Sequence, residues 1–137
     1  MLTLADIQSK VNDLASKLHA PANLLPTYGR SDDGARPHIE VDARAYHFVV
    51  VERGQELERF TTGDIDHLLM RIFSTVTSPL SYTYEHAHRI PGQDIRRMAF
   101  SRQIELMGML DPEWAEYERR RHAEILARHP FNDQLGR

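Results

Sequence analysis

The stretch that decides the fold is PHIEVDARAYHFVVVERGQELERFTT, residues 37–62. In Pro37–Asp42, Ile39 and Val41 alternate with His38, Glu40 and Asp42, the two-residue period of a half-buried strand. Tyr46–Arg53 is aromatic and β-branched, so it is expected to be the most buried strand. Arg53-Gly54-Gln55 supplies a turn, and Glu56–Thr61 returns with Leu57 opposite in phase to Glu56 and Glu58. Connections this short join only antiparallel neighbours, so the strands read as a meander.

On the N-terminal side, Ser31-Asp32-Asp33-Gly34 is a turn signal, because Asp-Gly accepts the positive φ of a tight turn. Asn23–Gly29 reads as a connector or a further short strand. Thr3-Leu4-Ala5-Asp6 resembles a capping box, and Leu4, Ile7, Val11, Leu14 and Leu18 then recur at spacings of three and four. An amphipathic helix ending near Pro21 follows.

On the C-terminal side the pattern turns helical. Thr61 or Thr62 caps a helix with the apolar stripe Ile65, Leu68, Leu69, Ile72, Phe73 and Val76. Ser78-Pro79 is expected to start a second helix, closed by Pro91-Gly92. Asp94 caps a third that runs to about Leu110. Asp111-Pro112-Glu113 combines an N-cap, a first-turn proline and a first-turn acid, opening a fourth that ends at His129-Pro130. The expected architecture is α+β: an N-terminal helix, a small antiparallel meander of three to four strands, then about four helices packed on one sheet face.

A length of 137 residues fits a single domain over 1–137, and 41% apolar with 27% charged residues is a folding composition. The absence of cysteine removes disulfides, thiol nucleophiles and zinc ribbons together. A net charge of −3 lacks the basic footprint of a nucleic-acid binder. The start MLTLADIQSK has neither a basic nor an apolar signal region, and the longest strongly apolar run is Phe48–Val51. The expected location is the cytoplasm, with no membrane partner. Residues 1–84 hold 8 basic and 11 acidic groups while 85–137 hold 9 of each, so the acidic surplus belongs to the first part.

No catalytic constellation emerges. His86-Ala87-His88 is the one close histidine pair, and on a helix positions two apart point away from each other. There is no His-Glu-x-x-His, no Gly-x-Ser-x-Gly and no glycine-rich phosphate loop. Asp32/Asp33 and Asp64/Asp66 read as turn and cap groups. No enzyme, cofactor or metal is expected from these patterns. Glu85, Arg89, Asp94, Arg96 and Arg97 flank one break and read as a charged corner between helices. On the sheet, His38, Glu40 and Asp42 share one side of their strand, and Glu56 and Glu58 are expected to share a face of theirs. With Tyr28, Arg30, Asp32 and Asp33 nearby, these acids form a candidate docking region for a basic partner.

The ordered set of segments resembles the Imm63 family of bacterial immunity proteins. It comprises Leu25–Arg30, Asp33-Gly34, Pro37–Val41, Tyr46–Val49, Glu52–Gly54, Tyr84-Glu85-x-x-His88-Arg89, Gln93-Asp94-x-Arg96-Arg97 and His129-Pro130-Phe131. The resemblance spans nearly the whole chain. It implies a protein that protects the producing cell by binding a cognate polymorphic toxin, needing no catalytic residues. The resemblance implies neither which toxin is bound nor where; the expected contact region, a tyrosine and an arginine among acids, is Tyr28, Arg30, Asp32, Asp33, Glu40, Asp42, Glu56 and Glu58. The alternative is a small metal- or ligand-binding or hydrolytic domain using His86, His88, Glu85 and Asp94. A third possibility is an adaptor whose helices pack on another subunit, and self-association is left open.

Overall fold

The computed structural model describes residues 1–136. In chain order it contains helix α1 (Leu4–Lys17), strands β1 (Thr27–Tyr28), β2 (His38–Val41), β3 (Tyr46–Glu52) and β4 (Gln55–Thr62), then helices α2 (Ile65–Ala87), α3 (Ile95–Leu110) and α4 (Pro112–Arg128). Short 3₁₀ turns lie at Ala22–Leu24 and Asp133–Gly136. No helix of the described residues is long and apolar enough to cross a membrane. The chain divides within α2 into two compact units, Met1–Phe73 and the residues from Ser74 on.

In the first unit, α1 begins with the capping box the sequence announces. The Thr3 hydroxyl accepts from Asp6 N at 3.1 Å, and Asp6 Oδ2 accepts from Thr3 N at 3.2 Å. Ile7, Val11 and Ala15 are its buried stripe. The sheet order is β1-β2-β3-β4, with β2, β3 and β4 forming the expected antiparallel meander. Arg53 and Gly54 both have positive φ, +53° and +76°, as a two-residue hairpin turn of matching twist requires. Tyr46 and Phe48 of β3 point inward with Ile39, and the Tyr46 hydroxyl accepts from Leu2 N at 2.8 Å.

Two expectations about the sheet are corrected. First, it is mixed, because β1 runs parallel to β2. Gly34 already bridges Glu52, and Ala35 N donates to Val51 O at 3.0 Å, so residues 34–41 occupy the strip beside β3. β1 is left the far side of β2, reached through a loop bent at Gly29, Asp33 and Ala35, all with positive φ. The positive φ of the Asp-Gly pair falls on Asp33 and not on Gly34. Second, Glu56 and Glu58 do not share a face. Val50 opposes Glu58 while Val51 opposes Glu56, so Leu57 is an extra residue in β4 and the alternation slips by one. Glu58 turns inward with Phe60 and pairs with Arg71 of α2, whose guanidinium lies 5.4 Å and 5.8 Å from the rings of Phe48 and Phe60. Leu68, Leu69, Ile72 and Phe73 complete the apolar interior of this unit.

The second unit also departs from expectation. Ser78-Pro79 starts no helix; α2 passes through Pro79, so three helices follow the sheet and not four. A proline in a helix interior costs about 3 kcal/mol. Leu68, Ile72, Phe73 and Val76 before it are nearly fully buried, and each such side chain contributes about 1.5–3 kcal/mol, enough to hold the helix together. The hairpin of α3 and α4 turns on Asp111 alone, the C-cap of one and the N-cap of the other. A Cβ added at Gly108 would stand 3.4 Å from Ala115 Cβ, so the two helices approach closely there. Ala99, Leu106, Met107 and Trp114 are buried, together with Thr77, Gln103, Glu118 and His122.

Candidate functional site

The outer face of the sheet carries two rows set by strand register. His38, Val49 and Arg59 stand abreast, and so do Glu40, His47 and Thr61. The bulge at Leu57 brings Glu56 to this face beside Arg59. Arg59 donates to Glu56 Oε1 through Nε at 3.0 Å and Nη2 at 2.7 Å, and through Nη1 to Glu40 Oε1 at 3.3 Å. His38 Nε2 donates to Glu40 Oε2 at 2.7 Å, while His38 Nδ1 is buried without a partner.

A second cluster adjoins the first. His47 Nε2 donates to Asp42 Oδ2 at 2.7 Å, and His47 Nδ1 lies 2.8 Å from Thr61 Oγ1. Asp42 Oδ1 also accepts from Arg44 N and Ala45 N at 2.8 and 2.9 Å. Those backbone donors, with His47, hold the Asp42 carboxyl down at about 2. The bond from His38 lowers Glu40, with Arg59 adding to it against partial burial, and Arg59 lowers Glu56. Two carboxylates, Glu40 and Glu56, therefore share one guanidinium on this face, and a third, Asp42, is held beside them by His47 and two backbone N–H groups.

The other sequence candidates are distributed differently. Asp32 Oδ1 accepts from Gly34 N at 3.0 Å. Asp33 Oδ1 accepts from Gly54 N at 2.7 Å and Asp33 O from Arg53 N at 3.3 Å, so Asp33 ties its loop to the hairpin turn. Arg30 is exposed, its carbonyl accepting from the Thr27 hydroxyl at 2.8 Å. Tyr28 is in register with Ile39, on the inner side. Its hydroxyl is buried without a hydrogen-bond partner, and burial pushes its pKa up to about 12. Tyr28 and Glu58 are thus separated from the outer sheet face, while Glu40, Asp42 and Glu56 are brought together on it. His47, Arg59 and Thr61 were not legible as members. Their one signal is that Leu57 and Phe60, three residues apart, cannot both point inward in an unbroken strand.

The charged corner resolves into two networks and not one. Glu85, 3% exposed, accepts from Arg89 Nε and Nη2 at 3.0 and 2.9 Å within the end of α2 and just beyond it. Asp94, 2% exposed, caps α3 and turns instead to the C-terminal segment, accepting from Arg96 N at 3.0 Å and Asn132 N at 2.9 Å. Arg96 donates to the carbonyls of His129 and Pro130, and Arg97 pairs with Asp133 while its guanidinium lies 4.4 Å from the Phe131 ring. These bonds, the Arg96 guanidinium foremost, hold the Asp94 carboxyl far below its ordinary range. The geometry is that of a clamp. His88 Nδ1 donates to Tyr84 O at 2.9 Å and its ring stacks on Tyr84. Among the described residues no group of three or more histidine or acidic side chains is placed to hold a metal.

Inside the second unit, polar side chains form a buried chain. Gln103 Nε2 donates to Ser74 O at 3.0 Å and to Thr77 Oγ1 at 3.1 Å, so its Oε1 faces His122 Nε2, which donates to it at 2.8 Å. Glu118 Oε2 lies 3.4 Å from the same nitrogen and accepts from Arg121 at 2.9 Å. His122 stacks on Phe100 with centroids 4.0 Å apart, and burial lowers its pKa to about 4.

Residues 42–124 match the family described as Immunity protein 63, Imm63. No curated protein and no solved structure matches the chain. The matched span opens at Asp42, takes in β3, β4, α2 and α3, and ends within α4.

Proposed function

The chain belongs to the Imm63 family of immunity proteins, and from that premise we propose that it binds and neutralises a cognate toxin domain in the producing bacterium. Neutralisation is by stoichiometric, non-covalent occlusion in the cytoplasm, with no chemical step on the toxin. The family match over residues 42–124 is the observation that carries this reading. A protein that acts by binding loses less side-chain freedom when its surface is ordered in advance.

The outer sheet face supplies one. Its carboxylates are held by Arg59, His38, His47 and backbone N–H groups, so little side-chain freedom is lost on contact. Glu40, Asp42 and Glu56 present more negative than positive charge, which steers a basic partner and raises its association rate. Arg30 and Asp32 of the neighbouring loop extend the candidate surface; Asp33 acts by fixing that loop. A toxin that works on nucleic acid carries the complementary basic surface.

The test is association kinetics with the toxin domain encoded beside this gene. Reversing two charges together, Glu40→Lys with Asp42→Lys, is expected to slow association about tenfold or more at low salt and less at high salt. An unchanged rate and affinity would remove this face from the interface. A toxin domain that does not bind the wild-type chain would remove the function itself.

A further inference from the structure

His47 and Thr61 stand directly across from each other on β3 and β4. Fourteen residues apart in the chain, they meet on the outer sheet face, where the Thr61 hydroxyl lies 2.8 Å from His47 Nδ1. On the other side of the ring, Nε2 lies 2.7 Å from Asp42 Oδ2. An ionised carboxylate only accepts, so the proton of the neutral ring sits on Nε2. Nδ1 is then the bare nitrogen, and the Thr61 hydroxyl donates to it. Asp42 is itself fixed, its Oδ1 accepting from Arg44 N and Ala45 N at 2.8 and 2.9 Å. A hydroxyl bonded to a histidine, with that histidine oriented by a third group, is the arrangement that activates a nucleophile. Access agrees with those roles. Thr61 is exposed on the edge strand of the sheet, while the His47 side chain beneath it is only 13% exposed.

We propose that Thr61 is an acyl-acceptor site, its hydroxyl the nucleophile, His47 the general base and Asp42 the residue that positions the ring. The surrounding charge selects the donor. Glu40 stands abreast of His47, and Glu56 holds Arg59, two residues from Thr61. Phosphoryl donors are polyanions and are repelled by these carboxylates, so a neutral ester or thioester is the class that fits. In the step, Thr61 Oγ1 forms a bond to the acyl carbon while its proton passes to His47 Nδ1. The C–O or C–S bond to the leaving group then breaks, and the departing alkoxide or thiolate takes that proton from Nδ1. The products are a Thr61 ester and a free alcohol or thiol, with no oxidant, reductant or further reactant. Between the two proton transfers the ring is an imidazolium, which the Asp42 carboxylate stabilises. The inference goes beyond the immunity reading and does not rest on it.

The probe is p-nitrophenyl acetate, applied to the full chain. Release of nitrophenolate times the reaction, and intact mass with peptide mapping locates the acetyl group. The wild type is expected to give a burst of about one equivalent per chain, with the acetyl group on Thr61. His47→Gln is expected to slow that acetylation about a hundredfold, and Asp42→Asn about tenfold or more. Thr61→Ser keeps the hydroxyl and should react at least as fast, whereas Thr61→Val should lose the burst. Thermal melts verify that the variants fold. Nitrogen NMR of the ring tests the positioning role by itself: the proton is expected on Nε2 of His47 in the wild type and is expected to move toward Nδ1 in Asp42→Asn. An acetyl group confined to Lys10, Lys17 or the N-terminal amine overturns the proposal, and so does a Thr61 that reacts equally fast in His47→Gln. An unchanged rate and tautomer in Asp42→Asn overturn the positioning role. None of these readouts involves the toxin, so their failure leaves the immunity reading untouched.

Discussion

The two units distribute polarity in opposite ways. In the first, the interior is apolar, built from Ile7, Val11, Ile39, Phe48, Leu68, Ile72 and Phe73, and the polar groups gather on the outer sheet face. In the second, Thr77, Ser81, Gln103, Glu118 and His122 are buried, and the apolar side chains Phe100, Ile104, Leu126 and Phe131 line an open groove. The difference teaches where specificity resides. An apolar interior tolerates repacking, whereas a buried hydrogen-bond chain is correct only when every link is present. The second unit therefore depends on a few exact partners and the first on bulk burial.

The largest expected effect tests the apolar side. Phe48→Ala removes a ring 2% exposed and should cost about 3–5 kcal/mol in chemical denaturation. A loss below 1 kcal/mol, the scale of a surface change, would show that this unit is not held by its interior.

Next is the polar side. Gln103→Ala should cost roughly 2–4 kcal/mol, because it opens a cavity and takes from His122 Nε2 its closest acceptor. Gln103→Leu combined with His122→Phe should recover most of that loss, since an apolar pair leaves fewer stranded groups. The same chain predicts an acid response. His122 is held at about 4, below its unfolded value of about 6.5, so the unfolded chain takes up the proton first. The contribution of neutral His122 is complete above pH about 6.5 and is lost as pH falls toward about 4, by up to roughly 3 kcal/mol. His122→Phe should flatten that part of the stability profile, and an unchanged profile would place the acid sensitivity elsewhere.

The smallest effects compare one task in the two units. Thr3 and Asp94 are both N-caps, one exposed and one buried in the clamp on residues 129–133. Thr3→Ala should cost about 1 kcal/mol or less, and Asp94→Ala about 2, at the upper end for caps. Equal losses in thermal unfolding would mean that the C-terminal segment contributes nothing through Asp94.

Much of this was legible along the chain. The period-two alternation of residues 37–42, the aromatic and β-branched run 46–51, the Arg53-Gly54 turn, the Thr3 capping box and the Asp111-Pro112 helix start are local signals. Each rests on backbone preferences within a few residues, and each is present in the structure. Glu40 and Asp42 were placed on one face of the sheet by the same alternation. The misplaced residues share one cause: their positions depend on contacts made elsewhere. Glu58 faces inward because of a bulge at Leu57 and a partner at Arg71. Asp94 serves the C-terminal segment, 38 residues away.

What the sequence by itself determined is therefore the order of the strands and of most helices, the α+β class, and the resemblance to the Imm63 family. What only the tertiary structure decided is pairing: the parallel β1, the single helix through Pro79, and the company that each charged side chain keeps. Local propensity is worth tenths of a kcal/mol for an ordinary residue and about 3 for an interior proline, whereas long-range burial contributes about 1.5–3 for each of several buried side chains. Where the two compete, as at Pro79 and Leu57, the long-range terms prevail.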